Sequence, residues 1–392
     1  MRKIIKDILY NVISSFLIVL VIQFLIYPFL AKDLSIKEYG LFLLSIGVIN
    51  MISIGFSSSI GNLRLINQKK YIKTSEYNNF LTLVFIVTII IYIISRSLSE
   101  VINIYYLVLA LCMIFKNYHS YSFRIEINYN NVLVLNLITA SGYLLGLIFY
   151  KLLLQEWIFI FLIGEVLGTV FVILKAKTVK EEFKVVKNKK MYSQFFSLSM
   201  ASLISNSMIY IDRLLLFPLL GSTSVSIFVV ASFVGKSIGL VVTPINSVFL
   251  TYISKKNDLS LKLFQKICFS LTIVFCLIFI VTYFLGDYIT KILYPAIYDD
   301  SKKYIGISSA SALTFIFGTI LNTFLLKMSD IKWQLRVQIV YVIIYIIFGG
   351  IFLIYYDLEL FIYFTIILNL FRISLIYFII KFTSQLNIEE RT

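Results

Sequence analysis

Five charged residues stand inside runs that are otherwise apolar: Glu165, Asp212, Arg213, Lys236 and Arg372. A charge at the centre of a bilayer costs roughly 2.5–3.5 kcal/mol even on the lenient experimental scale, so such side chains face a bundle interior or an aqueous cavity. Two chemistries follow from the residue types. The cations Arg213, Lys236 and Arg372 can attract an anionic group, and a planar guanidinium fork suits phosphate oxygens in particular. The carboxylates Glu165 and Asp212 can take up a proton or a sodium ion; equally, each can neutralise a neighbouring cation. Asp212 and Arg213 are adjacent in sequence and point about 100° apart on a helix, so they should not pair with each other. Arg213 lies near the end of its run and can also snorkel to the interface. Arg64 and Arg124 stand just past the ends of their runs, among Asn62, Asn67, Tyr121 and Asn128. They read either as membrane anchors or as a basic vestibule for an anionic headgroup.

The elements that must position these residues are membrane-spanning helices. Sixty per cent of the 392 residues are hydrophobic and 14% are charged, with a mean hydropathy of +0.93. Soluble domains carry roughly 25% charged residues. Here apolar runs of about twenty residues, the length that crosses a ~30 Å hydrocarbon core, follow one another almost without pause. Runs of that length mean helices rather than barrel strands. The first run, with Arg2, Lys3 and Lys6 before it, is too long for a signal-peptide core and reads as a retained helix. Expected spans are Ile8–Leu30, Tyr39–Ile60, Asn79–Ile94, Val101–Asn117, Asn131–Tyr150 and Trp157–Leu174. A second six follows at Phe195–Leu216, Val225–Leu250, Leu263–Leu285, Ile305–Leu326, Val337–Tyr356 and Leu360–Ile380. Two divisions are thin, at Ser95–Glu100 and at Asp357–Glu359.

Basic residues test the count. With twelve helices and a cytoplasmic N-terminus, about 25 of the 35 Lys and Arg fall in cytoplasmic segments and about seven outside. The net charge of +15 is therefore a topology signal and a match to anionic lipid, with no nucleic acid implied. Both termini and the Lys175–Met191 loop are expected to be cytoplasmic. That loop divides the chain into an N-terminal lobe (1–178), a basic linker (179–191) and a C-terminal lobe (192–392). A faint repeat supports two lobes: Tyr27-Pro28-Phe29-Leu30-Ala31 ends the first helix and Phe217-Pro218-Leu219-Leu220-Gly221 the seventh. The glycine pairs Gly142–Gly146, Gly164–Gly168 and Gly235–Gly239 allow close helix approach. No nucleotide-binding loop, zinc-protease motif or other cofactor or metal signature is present. The single histidine, His119, lies beside Lys116 at an expected helix end and reads as structural.

Several short words give the chain a likeness. Asn11, Pro28-Phe29-Leu30-Ala31 and Ser35-Ile36-Lys37-Glu38-Tyr39-Gly40 open it; Ile211-Asp212-Arg213-Leu214-Leu215, Pro244 and Tyr294–Tyr304 follow. Gly318–Asn322 and Lys327-Met328-Ser329-Asp330-Ile331-Lys332 complete the set. In these the chain resembles the bacterial O-antigen and capsule flippases, the Wzx-type polysaccharide transporters. The resemblance implies an all-α membrane fold of two six-helix lobes around a central cavity, shared with MATE-type exporters of the MOP superfamily. It implies an undecaprenyl-diphosphate-linked oligosaccharide carried from the cytoplasmic to the outer leaflet of the bacterial plasma membrane by alternating access. It also implies cationic residues in the cavity, where Arg213, Lys236 and Arg372 map. Proton or sodium coupling is expected of Glu165 or Asp212, and contact with polymerase and chain-length machinery is a further expectation. The second lobe departs from the pattern, with Ile227-Phe228 where a second Tyr-Gly pair would stand.

Three other readings carry their own signatures. An exporter of cationic drugs would concentrate acidic residues at membrane depth, whereas here three bases face two acids. A peptidoglycan-precursor flippase has helices beyond twelve. An O-antigen polymerase, an enzyme, has a long external loop with catalytic arginines, and the longest external segment expected here, Gly286–Tyr304, has none. No enzymatic activity is expected.

Overall fold

The computed structural model describes residues 13–67, 76–98, 102–126, 128–154, 156–181, 189–255, 261–329 and 331–389. The basic N-terminal flank, Asn11, the middle of the linker and Asp330 lie outside them, as does the side chain of Pro244.

All regular structure among the described residues is helical. In order, α1 is Ile13–Asp33, α2 Ile36–Asn67, α3 Glu76–Leu98, α4 Ile104–Ile125, α5 Tyr129–Phe149 and α6 Ile158–Lys175. One continuous stretch, Lys189–Lys255, contains Gly221 at φ 79° and ψ 177°. That conformation is open to glycine and closed to most other residues, and it breaks the stretch into α7 (189–220) and α8 (222–255). Then come α9 Leu261–Leu293, α10 Ile305–Met328, α11 Ile331–Tyr355 and α12 Leu358–Glu389. Among the described residues, ten segments are long and apolar enough to cross a membrane. Dividing the one that holds both α7 and α8 and adding α4, whose second half is polar, yields twelve spans. This is a multi-span, all-helical membrane fold.

Local chemistry explains where the helices start and bend. Ser35 and Glu38 form a reciprocal capping box at the start of α2: Ser35 N–H donates to Glu38 Oε2 at 3.0 Å, and Glu38 N–H to Ser35 Oγ at 3.3 Å. Asn103 caps α4 by accepting from the Tyr105 amide at 3.1 Å. Asp357 accepts from the Leu360 amide at 2.9 Å, and so separates α11 from α12 with only two residues between them. In α1, Pro28 follows a wide π turn at Val21–Ile26, where the Tyr27 amide reaches back five residues to Ile22 O. Widening the turn there accommodates a residue that supplies no amide proton and crowds the preceding turn.

The expected Gly286–Tyr304 loop is not a loop. Helix α9 runs on to Leu293, a short helix opens on Pro295 and ends at Ser301, and a tight turn, Lys302–Tyr304, leads into α10. Pro at a helix's first position costs no hydrogen bond, which is why this polar stretch coils. Two earlier helices also outrun their apolar cores. Helix α2 continues to Asn67 and α4 to Ile125, so Arg64 and Arg124 lie in last turns rather than beyond them.

The chain forms two compact units, Met1–Leu30 with Ser45–Ile211, and Ala31–Leu44 with Asp212–Thr392. Their borders fall away from the linker because of specific packing. In the first unit, α7 begins against α2 and α3: Phe195 stacks on Phe80 at 4.4 Å, and Ser199 Oγ lies 2.9 Å from Ser59 Oγ. Helices α5 and α6 approach so closely that a Cβ on Gly142 would lie 2.5 Å from the Gly164 Cα, the role expected of these glycines. In the second unit, the start of α2 lies against the Gly221 break. Ser226 Oγ donates to Ile36 O at 2.6 Å, and a Cβ on Gly40 would overlap Ser222 O. The Tyr39-Gly40 word is thus a buried aromatic beside a required gap. Gly40→Ala should lower the melting temperature in detergent, since overpacking costs about 1–3 kcal/mol. Gly350→Ala, with nothing within 4 Å of the added carbon, should not; equal melting of the two variants would refute the contact. The second unit's other core joins α9, α10 and α12 through Phe264, Phe275, Phe324, Ile376 and Ile380. Elsewhere α9 turns Phe269, Leu277 and Phe284 outward to lipid.

Candidate functional site

The buried charges separate into a neutralised set and an unneutralised one. In the first unit Glu165, on α6, is 1% exposed. Its Oε1 accepts from Lys116 Nζ of α4 at 2.8 Å and from the Tyr143 hydroxyl of α5, while Oε2 has no donor among the described residues. The close α5–α6 approach brings Tyr143 into reach, and Gly168 leaves room for the Lys116 stem, whose Cδ would lie 2.8 Å from an added Cβ. Glu165 therefore has an ammonium counter-ion in place.

Arg64 is also engaged. Its guanidinium forks onto the Glu181 carboxylate, with Nη1 donating to Oε2 at 2.9 Å, and a further bond of 3.3 Å runs to the Tyr118 hydroxyl. Asn78 donates to Glu181 O at 3.1 Å, and His119 Nδ1 lies 2.8 Å from Thr178 Oγ1. The start of the Lys175–Met191 loop, through Thr178 and Glu181, is thus held down on α2, α3 and α4. Arg64, one of the two vestibule candidates, has its anion supplied by the chain itself. Arg124 is exposed, 5.0 Å from the Tyr121 ring.

The second unit holds the remaining four charges. Asp212 on α7 pairs with Lys236 on α8, and Lys236 also stands 5.0 Å from the Phe228 ring. Asp212 Oδ1 accepts from the Arg213 backbone amide at 2.8 Å. The Arg213 guanidinium turns the other way, as the helical spacing requires, and donates to Leu43 O at 2.9 Å. It is buried.

Arg372, on α12, differs from all of these. It is 4% exposed, and its Nε and Nη1 lie buried without a hydrogen-bond acceptor among the described residues. Its Cζ stands 5.3 Å from the Phe315 ring of α10 and 5.2 Å from the Tyr341 ring of α11. No carboxylate pairs with it among the described residues. Aromatic faces stabilise a cation by about 0.5–2 kcal/mol, well short of replacing lost hydration. At membrane depth Glu165 and Lys116 cancel, whereas Asp212 offsets only one of Arg213, Lys236 and Arg372. The excess positive charge lies in the second unit; there Arg213 is held by the Leu43 carbonyl, whereas Arg372 has neither a carboxylate nor an acceptor for Nε and Nη1 among the described residues.

Two sets of participants escape the sequence reading. Lys116 reads as a helix end because Asn117 follows it, yet α4 continues for two more turns. Asn369 and Tyr341 are uncharged and sit in apolar runs; the available signal is the spacing of Thr365, Asn369 and Arg372, which share one face of α12.

No protein-family model matches the chain, and no curated protein matches it in sequence. Solved structures match along its length. A MATE protein in its bent conformation superposes with a TM-score of 0.66 at 14% identity, covering 100% of this chain and 97% of that one. An outward-facing multidrug resistance MATE family transporter of the MOP superfamily reaches 0.68 at 15% identity, covering 97% and 96%. The fold is that of the MATE transporters. A MOP superfamily transporter from Pyrococcus furiosus, described as having a binding pocket of reverse polarity, matches at 0.57 and 14% identity over 97% and 96%. At these identities the MATE likeness is one of fold, and the site rests on this chain's own geometry.

Proposed function

We propose that this protein is a flippase that moves an undecaprenyl-diphosphate-linked oligosaccharide, the repeat unit of an O-antigen or capsule, between the leaflets of a bacterial plasma membrane by alternating access. The observation that carries the reading is Arg372, a buried guanidinium with no carboxylate beside it among the described residues. A lipid-linked diphosphate supplies the missing charge. Its glycan and phosphates cannot cross hydrocarbon unaided, because their hydration would be lost. The excess of cations over acids in the second unit supports an anionic cargo over a cationic one. So does the fold's occurrence in a transporter whose pocket is described as reversed in polarity. The likeness to Wzx-type transporters names the polyprenyl carrier.

The test is surface polysaccharide in a strain lacking its own flippase. Restored polysaccharide with no change in resistance to cationic dyes is expected; dye resistance without polysaccharide would overturn the assignment in favour of drug export. The orientation has its own test. Alkaline phosphatase fused after Lys180 should be inactive and fused after Asp300 active, and the reverse pair would place the linker outside.

A further inference from the structure

Arg372 is flanked by residues whose hydrogen-bond donors are already used inside the protein. The Tyr341 hydroxyl donates to Asn369 Oδ1 at 2.9 Å. Asn369 Nδ2 then donates to Ser311 O at 3.0 Å and to Thr314 Oγ1 at 3.3 Å. One amide thereby ties α10, α11 and α12 together, three residues before Arg372 on the same face of α12. Asn369 is 2% exposed and uses both amide hydrogens and its oxygen inside the protein. Just beyond Thr314 is Phe315, so the amide fixes both rings that flank the guanidinium, Tyr341 through its hydroxyl and Phe315 through its helix. Ser311 and Thr365 hydroxyls, 2.7 Å apart, close the same layer.

We infer that Tyr341 and Asn369 are positioning residues: they hold the Arg372 guanidinium between two rings with its N–H groups directed at a phosphate or diphosphate ligand. The inference rests on the reading of Arg372 as the anion site. A guanidinium free to rotate must be ordered at each binding event, and that cost is met in advance when its neighbours are locked. An interhelical amide at membrane depth is suited to the task, because its alternative partners there are few.

The experiment uses the full protein in proteoliposomes with a fluorescent polyprenyl-diphosphate-linked disaccharide as cargo. Inorganic pyrophosphate and farnesyl diphosphate serve as competitors. Tyr341→Phe keeps the ring and removes only the bond to Asn369. Loss of one buried hydrogen bond that acts through Arg372 should raise KM about three- to tenfold. It should leave kcat within twofold and protein abundance unchanged; Asn369→Ala, which removes three buried bonds, should raise KM likewise when activity is expressed per folded protein, at lower abundance. Neither should add to the effect of Arg372→Ala, since all act on one contact. Competition by farnesyl diphosphate alone identifies the lipid-linked headgroup as the ligand; competition by both compounds identifies any diphosphate. If Arg372→Ala raises KM while Tyr341→Phe and Asn369→Ala do not, the positioning role is refuted and the flippase reading stands. A KM unchanged in Arg372→Ala removes the anion site itself, and the inference with it.

Discussion

Lys116→Met should largely remove the protein from the membrane fraction, and Lys116→Met with Glu165→Gln should return it. The single change leaves a carboxylate that is 1% exposed with, among the described residues, the Tyr143 hydroxyl as its one remaining donor. Breaking a buried pair by deleting one partner costs about 3–5 kcal/mol, a large share of the ~5–15 kcal/mol that holds a typical protein folded. Replacing both partners by neutral groups of similar volume removes the uncompensated charge, and the amide oxygen introduced by Glu165→Gln can still accept from Tyr143. Abundance by immunoblot and melting in detergent measure the effect. A single variant that melts like the parent would show that the Lys116–Glu165 contact does not hold α4 to α6. Transport by the double variant is a separate reading: full gradient-dependent activity would exclude Glu165 as the coupling group.

Arg372→Ala should do the opposite, weakening export while leaving the fold intact. No acid is stranded by the change, since none pairs with Arg372 among the described residues. What the fold loses is contact with two rings, about 0.5–2 kcal/mol, against relief of roughly 2.5–3.5 kcal/mol for a charge at depth. Melting should therefore be unchanged or higher. Export should fall at least about tenfold, the loss of one charge-assisted contact of ~1.5–3 kcal/mol, and Arg372→Lys should retain part of it. Lowered abundance with proportionately lowered export would reassign Arg372 to structure.

These two residues also mark how much can be read without the fold. Twelve spans are legible because lipid forces every crossing into about twenty apolar residues. Arg372 is legible for the same reason: one guanidinium in such a run stands out from its neighbours. Lys116 is not, since a lysine followed by asparagine looks like the end of a span, and its partner is 49 residues away. Arg64 is recognisable as a cation, but its pairing with Glu181 depends on the linker folding back under the helices, which no local pattern encodes. Asn369 and Tyr341 carry no charge and cost little in a membrane helix, so only the assembled layer of α10, α11 and α12 reveals them. Likewise Pro295, in a stretch that reads as a loop, starts a helix because a proline needs no partner for an amide hydrogen it lacks.

The Lys116–Glu165 contact also imposes an order on synthesis. A ribosome finishes α4 before Glu165 exists, and the 49 residues between them take about 2–10 s at ~5–20 residues per second. Throughout that interval an ammonium group belongs to a helix with no counter-ion, so α4 is poorly retained by lipid alone. The nascent helix must wait beside the insertion machinery, or shallow in the interface, until α6 emerges and the two can enter together. A single cysteine placed in α4 should be labelled by a water-soluble maleimide when the chain is stalled between α5 and α6, and protected when the same stall is placed after α6.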